Sequence, residues 1–192
     1  MLIGVSFSVT NYSTFACQDQ NVIINVNGCD YLVSVCVNCT IGVAPTSLSV
    51  KNFMKLDVNC TQSLSPQKVL QSIKNQISTY DYIYSNLCLE NGYVPPPCPN
   101  LPLPDKFFYQ YHYLCFKKTY VLYFGEWHEK YEACDYDNYC LEEVIYCFTT
   151  VPFPHIKKVV NDFILVGSPN CTLESWEAEV DECYIIHTPC NP

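Results

Sequence analysis

Apolar and polar residues alternate in LIGVSFSV, residues 2–9, and again over 21–39, which is the pattern of β-strands with one buried face. In the clearest stretch, NVIINVNGCDYLVSVCVNC, the dipeptide Asn27-Gly28 separates two alternating runs. This dipeptide favours a two-residue type I′ turn, so the pattern predicts a β-hairpin in which Val26 faces Cys29. The alternate residues of both strands then form one continuous apolar face.

A helical spacing follows in the next part of the chain. Ser65 is a good N-cap and Pro66 suits the first helical position. Apolar residues then recur at intervals of three and four, at Val69, Leu70, Ile73, Ile77, Tyr80, Tyr84 and Leu87. The spacing predicts one long amphipathic helix over about 66–91, ended by Asn91-Gly92.

Six prolines fall between Val94 and Asp105. Such a run is typical of polyproline II, either as a spacer or as a strap laid over a surface. We therefore predict an N-terminal hairpin-and-helix region over 1–93, a spacer over 94–105 and a C-terminal β region over 106–192. The alternative is one continuous domain.

The C-terminal half is rich in aromatic and β-branched residues, which favours strands. Residues 106–127 and 140–151 are predicted as strands. The ranges 155–166 and 172–186 fit either a helix or a strand, and the second is assigned to strand. The expected fold class is α+β, predominantly β, with antiparallel sheets or a sandwich beside the one long helix.

The charged residues narrow the classes of partner. Ten lysines, no arginine and 19 acidic residues give a net charge of −9. An acidic chain without arginine is poorly suited to bind nucleic acid or an anionic membrane. No apolar run reaches the roughly 18 residues that a membrane-spanning helix needs. We therefore expect other protein subunits, of the same or a different kind, as partners.

Three Asn-Cys-Thr triplets offer glycosylation acceptors at Asn38, Asn59 and Asn170. The register of the hairpin predicts that the first triplet is strand sequence, with Cys39 inward and its polar neighbours outward. The stretch KLDVNCT repeats this pattern around Cys60, whereas the third triplet follows a turn signal. Packing is thus the favoured interpretation of the first two triplets, and glycosylation is the alternative.

Fourteen cysteines raise the questions of metal binding and of redox state. Cys36-x-x-Cys39 has ligand spacing, and Cys29 lies nearby, but a structural zinc site needs a fourth ligand. On one strand, Cys36 and Cys39 would also point to opposite faces. The candidates Cys29, Cys36 and Cys39 therefore do not amount to a metal site, and no cofactor is expected.

The expected redox state is mixed. Cys29 faces a valine across the hairpin, and a disulfide requires Cα atoms about 4.4–6.8 Å apart. We therefore predict buried free thiols on strand faces, among them Cys39 and Cys60. A few disulfides at most are expected in the C-terminal half, around Cys134, Cys140 and Cys147.

The sequence contains no recognisable catalytic set. In GEWHEKYEACDYD, His128 lies between Glu126 and Glu129, but the position four residues after it is Glu132, so the zinc protease motif fails. The stretch is interpreted as a solvated acidic face. Glycines occur singly, without a phosphate-binding loop. We expect a protein that is not an enzyme.

Two functions remain. The first is a structural subunit of a larger assembly, most plausibly a virus or phage particle, made in a host cytoplasm and incorporated in the particle. This hypothesis is favoured by a start at Met1 without an evident leader, by the abundant aromatic residues and by the proline strap. The alternative is a secreted or cell-surface binding module, disulfide-rich and glycosylated, which the even cysteine count and the glycosylation acceptors favour.

Overall fold

The fold consists mainly of strands, which confirms the predominantly β prediction. The computed structural model describes residues 17–39, 47–61, 64–89, 94–98, 108–169, 171 and 180–190. The strands are β1 Gln18–Val26, β2 Cys29–Asn38, β3 Ser47–Lys55, β4 Phe108–Tyr113, β5 Cys115–Tyr123, β6 Glu126–Ala133, β7 Tyr139–Thr149, β8 His155–Val166 and β9 Cys183–Ile185. The helices are α1 Pro66–Ile77 and α2 Tyr80–Tyr82, which continues into a π-helical turn, Ile83–Leu87.

All nine strands form one sheet that branches at β3. Antiparallel β2 pairs along one edge of β3, and β1 pairs with β2. The other edge is shared, since β4 pairs with the start of β3 in parallel and β6 pairs with its end antiparallel. The sheet is therefore mixed, not purely antiparallel as expected. The parallel pair arises because α1 and α2 lie between β3 and β4 in the chain, and such a crossover returns the chain in the same direction.

The N-terminal hairpin has the predicted register. Val26 pairs with Cys29 across the turn, and Asn27 and Gly28 have φ angles of 51° and 85°, as a type I′ turn requires. The predicted apolar face is buried at Ile24, Val26, Cys29, Tyr31, Val33, Val35 and Val37. This face forms the main core with one side of α1 and with residues from β3, β4 and β7.

Helix α1 begins where the sequence predicts. The Ser65 hydroxyl accepts a hydrogen bond from the Lys68 backbone N–H at 3.4 Å, and Pro66 occupies the first helical position. The predicted inward residues Val69, Leu70, Ile73 and Ile77 are buried. Propensity, capping and burial agree at this end of the helix.

The prediction of one long helix over about 66–91 is wrong, because α1 ends at Ile77. Thr79 has an extended backbone, with ψ of 146°, and its hydroxyl accepts from the Tyr82 N–H at 3.3 Å. A threonine that caps a second helix competes with continuation of the first. The apolar spacing nevertheless continues, with Ile83 and Leu87 buried in the second segment.

The remaining C-terminal expectations resolve as strands where the structure describes them. Residues 155–166 form β8; of 172–186, residues 172–179 lie outside the described part of the chain, 180 and 181 form a turn, and 183–185 form β9. Lys117 and Lys118 lie inside β5 instead of between two strands. In the described part of the proline segment, the Cys98 N–H donates to the Phe148 carbonyl at 2.8 Å. The division into two regions stays a prediction, although β3 pairs with strands from both sides of it.

Candidate functional site

All fourteen cysteines form disulfides, so the prediction of free thiols at Cys39 and Cys60 is wrong. The Cα–Cα distances range from 4.6 to 6.3 Å. The pairs are Cys17–Cys36, Cys29–Cys60, Cys39–Cys88, Cys98–Cys147, Cys115–Cys171, Cys134–Cys183 and Cys140–Cys190.

The error has a geometric cause. Cys29 does face Val26 across the hairpin, but its disulfide partner, Cys60, comes from the turn after β3. The sequence argument considered only partners on the opposing strand. Cys29, Cys36 and Cys39 lie in three different disulfides, and a disulfide sulfur is not the thiolate that zinc binds. In the described chain the closest metal-like group is Cys17, Cys36 and Asp19, of which the two cysteines form a disulfide.

The three glycosylation acceptors differ in their surroundings. Asn38 ends β2 and is half-buried, while Asn170 lies outside the described residues. β3 ends at Lys55, so Asn59 is not in a strand as expected but in an exposed turn. The Asp57 carboxylate accepts from the Asn59 N–H at 2.8 Å, which favours the turn over a continued strand. Glycosylation stays a prediction, and Asn59 is the most accessible described candidate.

A buried polar cluster joins three strands beneath α1. His112 Nε2 lies 2.8 Å from one carboxylate oxygen of Glu142, and the Lys158 ammonium lies 2.9 Å from the other. The Lys158 ammonium also donates to the side-chain oxygen of Gln110 at 3.0 Å. Since an ionised carboxylate only accepts, His112 Nε2 carries the hydrogen. The sequence analysis missed this cluster; its signal is that Gln110 and His112 take alternate positions of an aromatic strand.

The charges of this cluster follow from burial. Burial lowers the pKa of His112 to about 4, so its ring is neutral near pH 7. Burial opposes ionisation of Glu142, but the hydrogen bonds from His112 and Lys158 outweigh it and keep the pKa of Glu142 below its usual value. Burial also lowers the pKa of Lys74, on α1 above the cluster, to about 7, although Glu142 opposes this shift.

Beside the cluster, the break between α1 and α2 opens a cleft with a volume of about 770 Å³. Its lining combines aromatic and polar groups, among them Tyr80, Asp81, Tyr146, Phe148, His155 and Lys158. Two of its polar groups are engaged in the fold, since the Tyr146 hydroxyl donates to the Ser78 carbonyl and Lys158 contacts Glu142. This arrangement offers no activated nucleophile among the groups named.

Three large apolar side chains are exposed at the tip of the β5–β6 hairpin. Leu122 and Trp127 are cross-strand partners and are 58% and 67% exposed. Phe124, at the turn itself, is 91% exposed. We call Leu122, Phe124 and Trp127 the aromatic tip. Single exposed apolar residues are ordinary, but a group of three large ones indicates an interaction surface.

Phe124 also has an unusual backbone. Its φ is 49° and that of Gly125 is 86°, which is the type I′ turn that Asn27-Gly28 adopts in the first hairpin. The first position of this turn favours asparagine, aspartate or glycine, and a phenylalanine there is strained. A strained, exposed aromatic residue is a signal of function, and the Phe124 ring makes an edge-on contact with the neighbouring Tyr123 ring, at 4.5 Å between centroids.

The stem below the aromatic tip is fixed by polar contacts on the same face. The Glu129 carboxylate lies 3.3 Å from the Lys118 ammonium and accepts from the hydroxyls of Tyr120, at 3.4 Å, and Tyr131, at 3.3 Å. Because Tyr131 in turn stacks on the buried Phe53, the stem is anchored to the core. The aromatic tip is therefore presented on a rigid support.

His128 anchors the opposite face of the same hairpin. Its side chain is buried, and Nδ1 lies 2.8 Å from the Lys55 carbonyl oxygen, to which it donates. The prediction that this stretch is a solvated acidic face is therefore wrong for His128, which is buried. Glu126 and Glu129 are exposed, as that prediction requires. Strand alternation places Glu129 on the face opposite His128, whereas Glu126 shares the face of His128 and lies at the exposed start of β6.

No helix in the described part of the chain is long and apolar enough to cross a membrane. Comparison with protein-family models, with curated proteins and with solved structures finds no match to this chain. The function is therefore argued from the disulfides and the aromatic tip.

Proposed function

We propose that this protein is a disulfide-stabilised extracellular binding module that holds a protein partner through its aromatic tip. The observation that carries the proposal is Phe124, 91% exposed on a left-handed backbone between the exposed Leu122 and Trp127. Large aromatic side chains on a rigid support are the residues that contribute most of the binding free energy at protein interfaces. Their exposure costs stability and solubility in the free protein, and a partner offsets that cost.

The seven disulfides suggest an oxidising, extracellular or secreted environment, because thiols stay reduced in a cytosol. They also restrain the chain covalently, which suits a protein that exposes apolar residues. The absence of arginine and the net charge of −9 direct the proposal toward a protein partner instead of nucleic acid.

The test compares three immobilised proteins exposed to the extracellular proteins of the source organism. They are the wild type, the double variant Phe124→Asn with Trp127→Ser, and a control, Ile23→Ser, which removes an exposed apolar residue from β1. We expect a partner, identified by quantitative mass spectrometry, that the wild type and the control retain and the double variant loses. If every captured protein binds all three equally, the proposal is wrong. If the aromatic tip instead governs sedimentation with zwitterionic lipid vesicles, the partner is a membrane surface.

A structural subunit of a larger assembly, such as a virus or phage particle, is the second candidate. The observation that favours it is β8, a strand of 12 residues at the end of the sheet with apolar side chains exposed on both faces. Such an edge is a ready surface for pairing with another chain. Purified particles that contain this chain in fixed stoichiometry would favour this candidate over the first.

A further inference from the structure

We propose that two copies of this chain pair through their β8 strands, antiparallel, so that one sheet continues across a two-fold dimer. The inference concerns a different surface from the aromatic tip and does not depend on the partner proposed for it.

The first observation is the open edge of β8. Among the described strands, β8 pairs only with β7, and its pairing runs over the full length from Thr149 with His155 to Tyr139 with Val166. As far as the described residues show, its other edge is unpaired and presents a long row of backbone donors and acceptors. Phe163 and Leu165 are 43% and 52% exposed beside this edge.

The second observation is the distribution of charge along the strand. Lys157 lies near the start of β8 and Asp162 near its end, and both side chains are exposed. In an antiparallel pair of identical strands, the start of one copy lies opposite the end of the other. The register that sets Lys157 opposite Asp162 of the second copy also sets Ile156 opposite its Phe163. By symmetry each of these contacts occurs twice, so that a lysine lies opposite an aspartate and an isoleucine opposite a phenylalanine on both sides of the two-fold axis.

The third observation is a β-bulge that makes these pairs possible. Val160 pairs with Val144 and Asp162 pairs with Glu143, so Asn161 has no counterpart in β7. In a regular strand, Lys157 and Asp162 would point to opposite faces because they are five residues apart. The bulge shifts the alternation by one residue, and both now lie on the same face.

A two-fold axis perpendicular to the sheet requires opposing residues to share a face. Lys157 and Asp162 meet that condition, as they pair with Cys147 and Glu143, which are on one face of β7. Ile156 and Phe163 meet it on the other face, opposite Phe148 and Glu142. The bulge thus allows the strand to pair with a second copy of itself, because it places the residues that oppose each other in the two-fold register on the same face.

Size-exclusion chromatography with light scattering on the full, oxidised chain tests the dimer. We expect twice the monomer mass at high concentration and dissociation on dilution between about 1 mM and about 1 µM. A single monomer mass throughout this range would overturn the proposal.

Charge reversal tests the register. Lys157→Glu places like charges opposite each other at two symmetric positions, and we expect the dissociation constant to rise about tenfold or more. Asp162→Lys should do the same, while the double variant Lys157→Glu with Asp162→Lys should restore dimerisation. Lys68→Glu, the same change on the exposed face of α1, is the control and should leave the dimer unchanged. A dimer that either β8 reversal leaves intact, or that the double variant does not restore, would rule out this register.

Discussion

Phe124 and Asn27 occupy the same position in two turns of the same shape, with φ angles of 49° and 51°. The following glycines, Gly125 and Gly28, have φ angles of 86° and 85°. The chain thus contains both the ordinary residue for this turn and an unfavourable one. We interpret the difference as stability given up at the β5–β6 hairpin for a ring that a partner binds.

A single substitution checks this interpretation. Phe124→Asn should raise the free energy of unfolding by about 0.5–1 kcal/mol, since asparagine tolerates the left-handed backbone at lower cost. Chemical unfolding with the disulfides intact measures it. The reverse change in the first hairpin, Asn27→Phe, should lower stability by a similar amount. If Phe124→Asn is neutral or destabilising, the ring contributes to the fold and the functional interpretation loses its basis.

Lys74 predicts a pH dependence of stability. Its pKa is lowered from 10.5 to about 7 by burial, so below pH 7 it is charged in both states and the folded state bears the full desolvation cost. Between pH 7 and about 10 the unfolded chain retains a proton that the folded protein has lost, so this cost falls as pH rises.

Lys74→Met should therefore stabilise the protein by about 1–3 kcal/mol near pH 6 and by clearly less near pH 9.5. Unfolding curves at the two pH values measure the difference. Lys68→Met, on the exposed face of the same helix, is the matched control and should show no such trend. Equal effects of Lys74→Met at both pH values would show that the ammonium is not desolvated.

At the scale of elements, the predictable features are those fixed by neighbouring residues. Asn27-Gly28 fixed the register of the first hairpin, and Ser65-Pro66 fixed the start of α1, because turn and cap chemistry act within a few residues. The helix break was missed because apolar spacing continues through Ser78 and Thr79. The polar cluster was missed because it depends on which strands neighbour β4, and that order is set by contacts far apart in the chain.

The cap of α1 offers a test with an internal control. Ser65→Ala removes the hydroxyl that accepts from the Lys68 N–H and should cost about 1 kcal/mol of stability. Ser72→Ala makes the same change within the helix, where the hydroxyl donates to the Lys68 carbonyl at 2.8 Å. Because alanine is the better helix former there, Ser72→Ala should be neutral or slightly stabilising. Equal losses in the two variants, measured by chemical unfolding, would contradict the assigned cap.

At the scale of the whole molecule, the cysteine pairing was beyond the sequence argument. The partners of Cys29 and Cys39 lie 31 and 49 residues away, so pairing requires the tertiary fold. Composition alone gave the even count, which is compatible with full pairing but does not establish it.

Thiol titration of the denatured protein checks the whole pattern at once. We expect no reactive thiol before reduction and 14 afterwards. Reduction should also lower the midpoint of thermal unfolding sharply, since one native disulfide in a small secreted domain typically contributes about 2–5 kcal/mol. Several free thiols in the unreduced protein, from a preparation never exposed to reductant, would contradict the pairing and the proposed environment.

The seven disulfides fall into two groups that no covalent cross-link joins. Three close within residues 17–88 and four within residues 98–190, while the hydrogen bonds of β3 to β4 and β6 and the shared main core hold the groups together. The backbone between Cys88 and Cys98 is therefore the only covalent link between two segments that are each cross-linked internally by disulfides. A chain cut there would be two separate polypeptides that keep their own cross-links, and the two could be oxidised apart and then mixed to reconstitute the sheet. The molecule is in this sense a natural candidate for fragment complementation, with β3 as the strand on which reassembly depends.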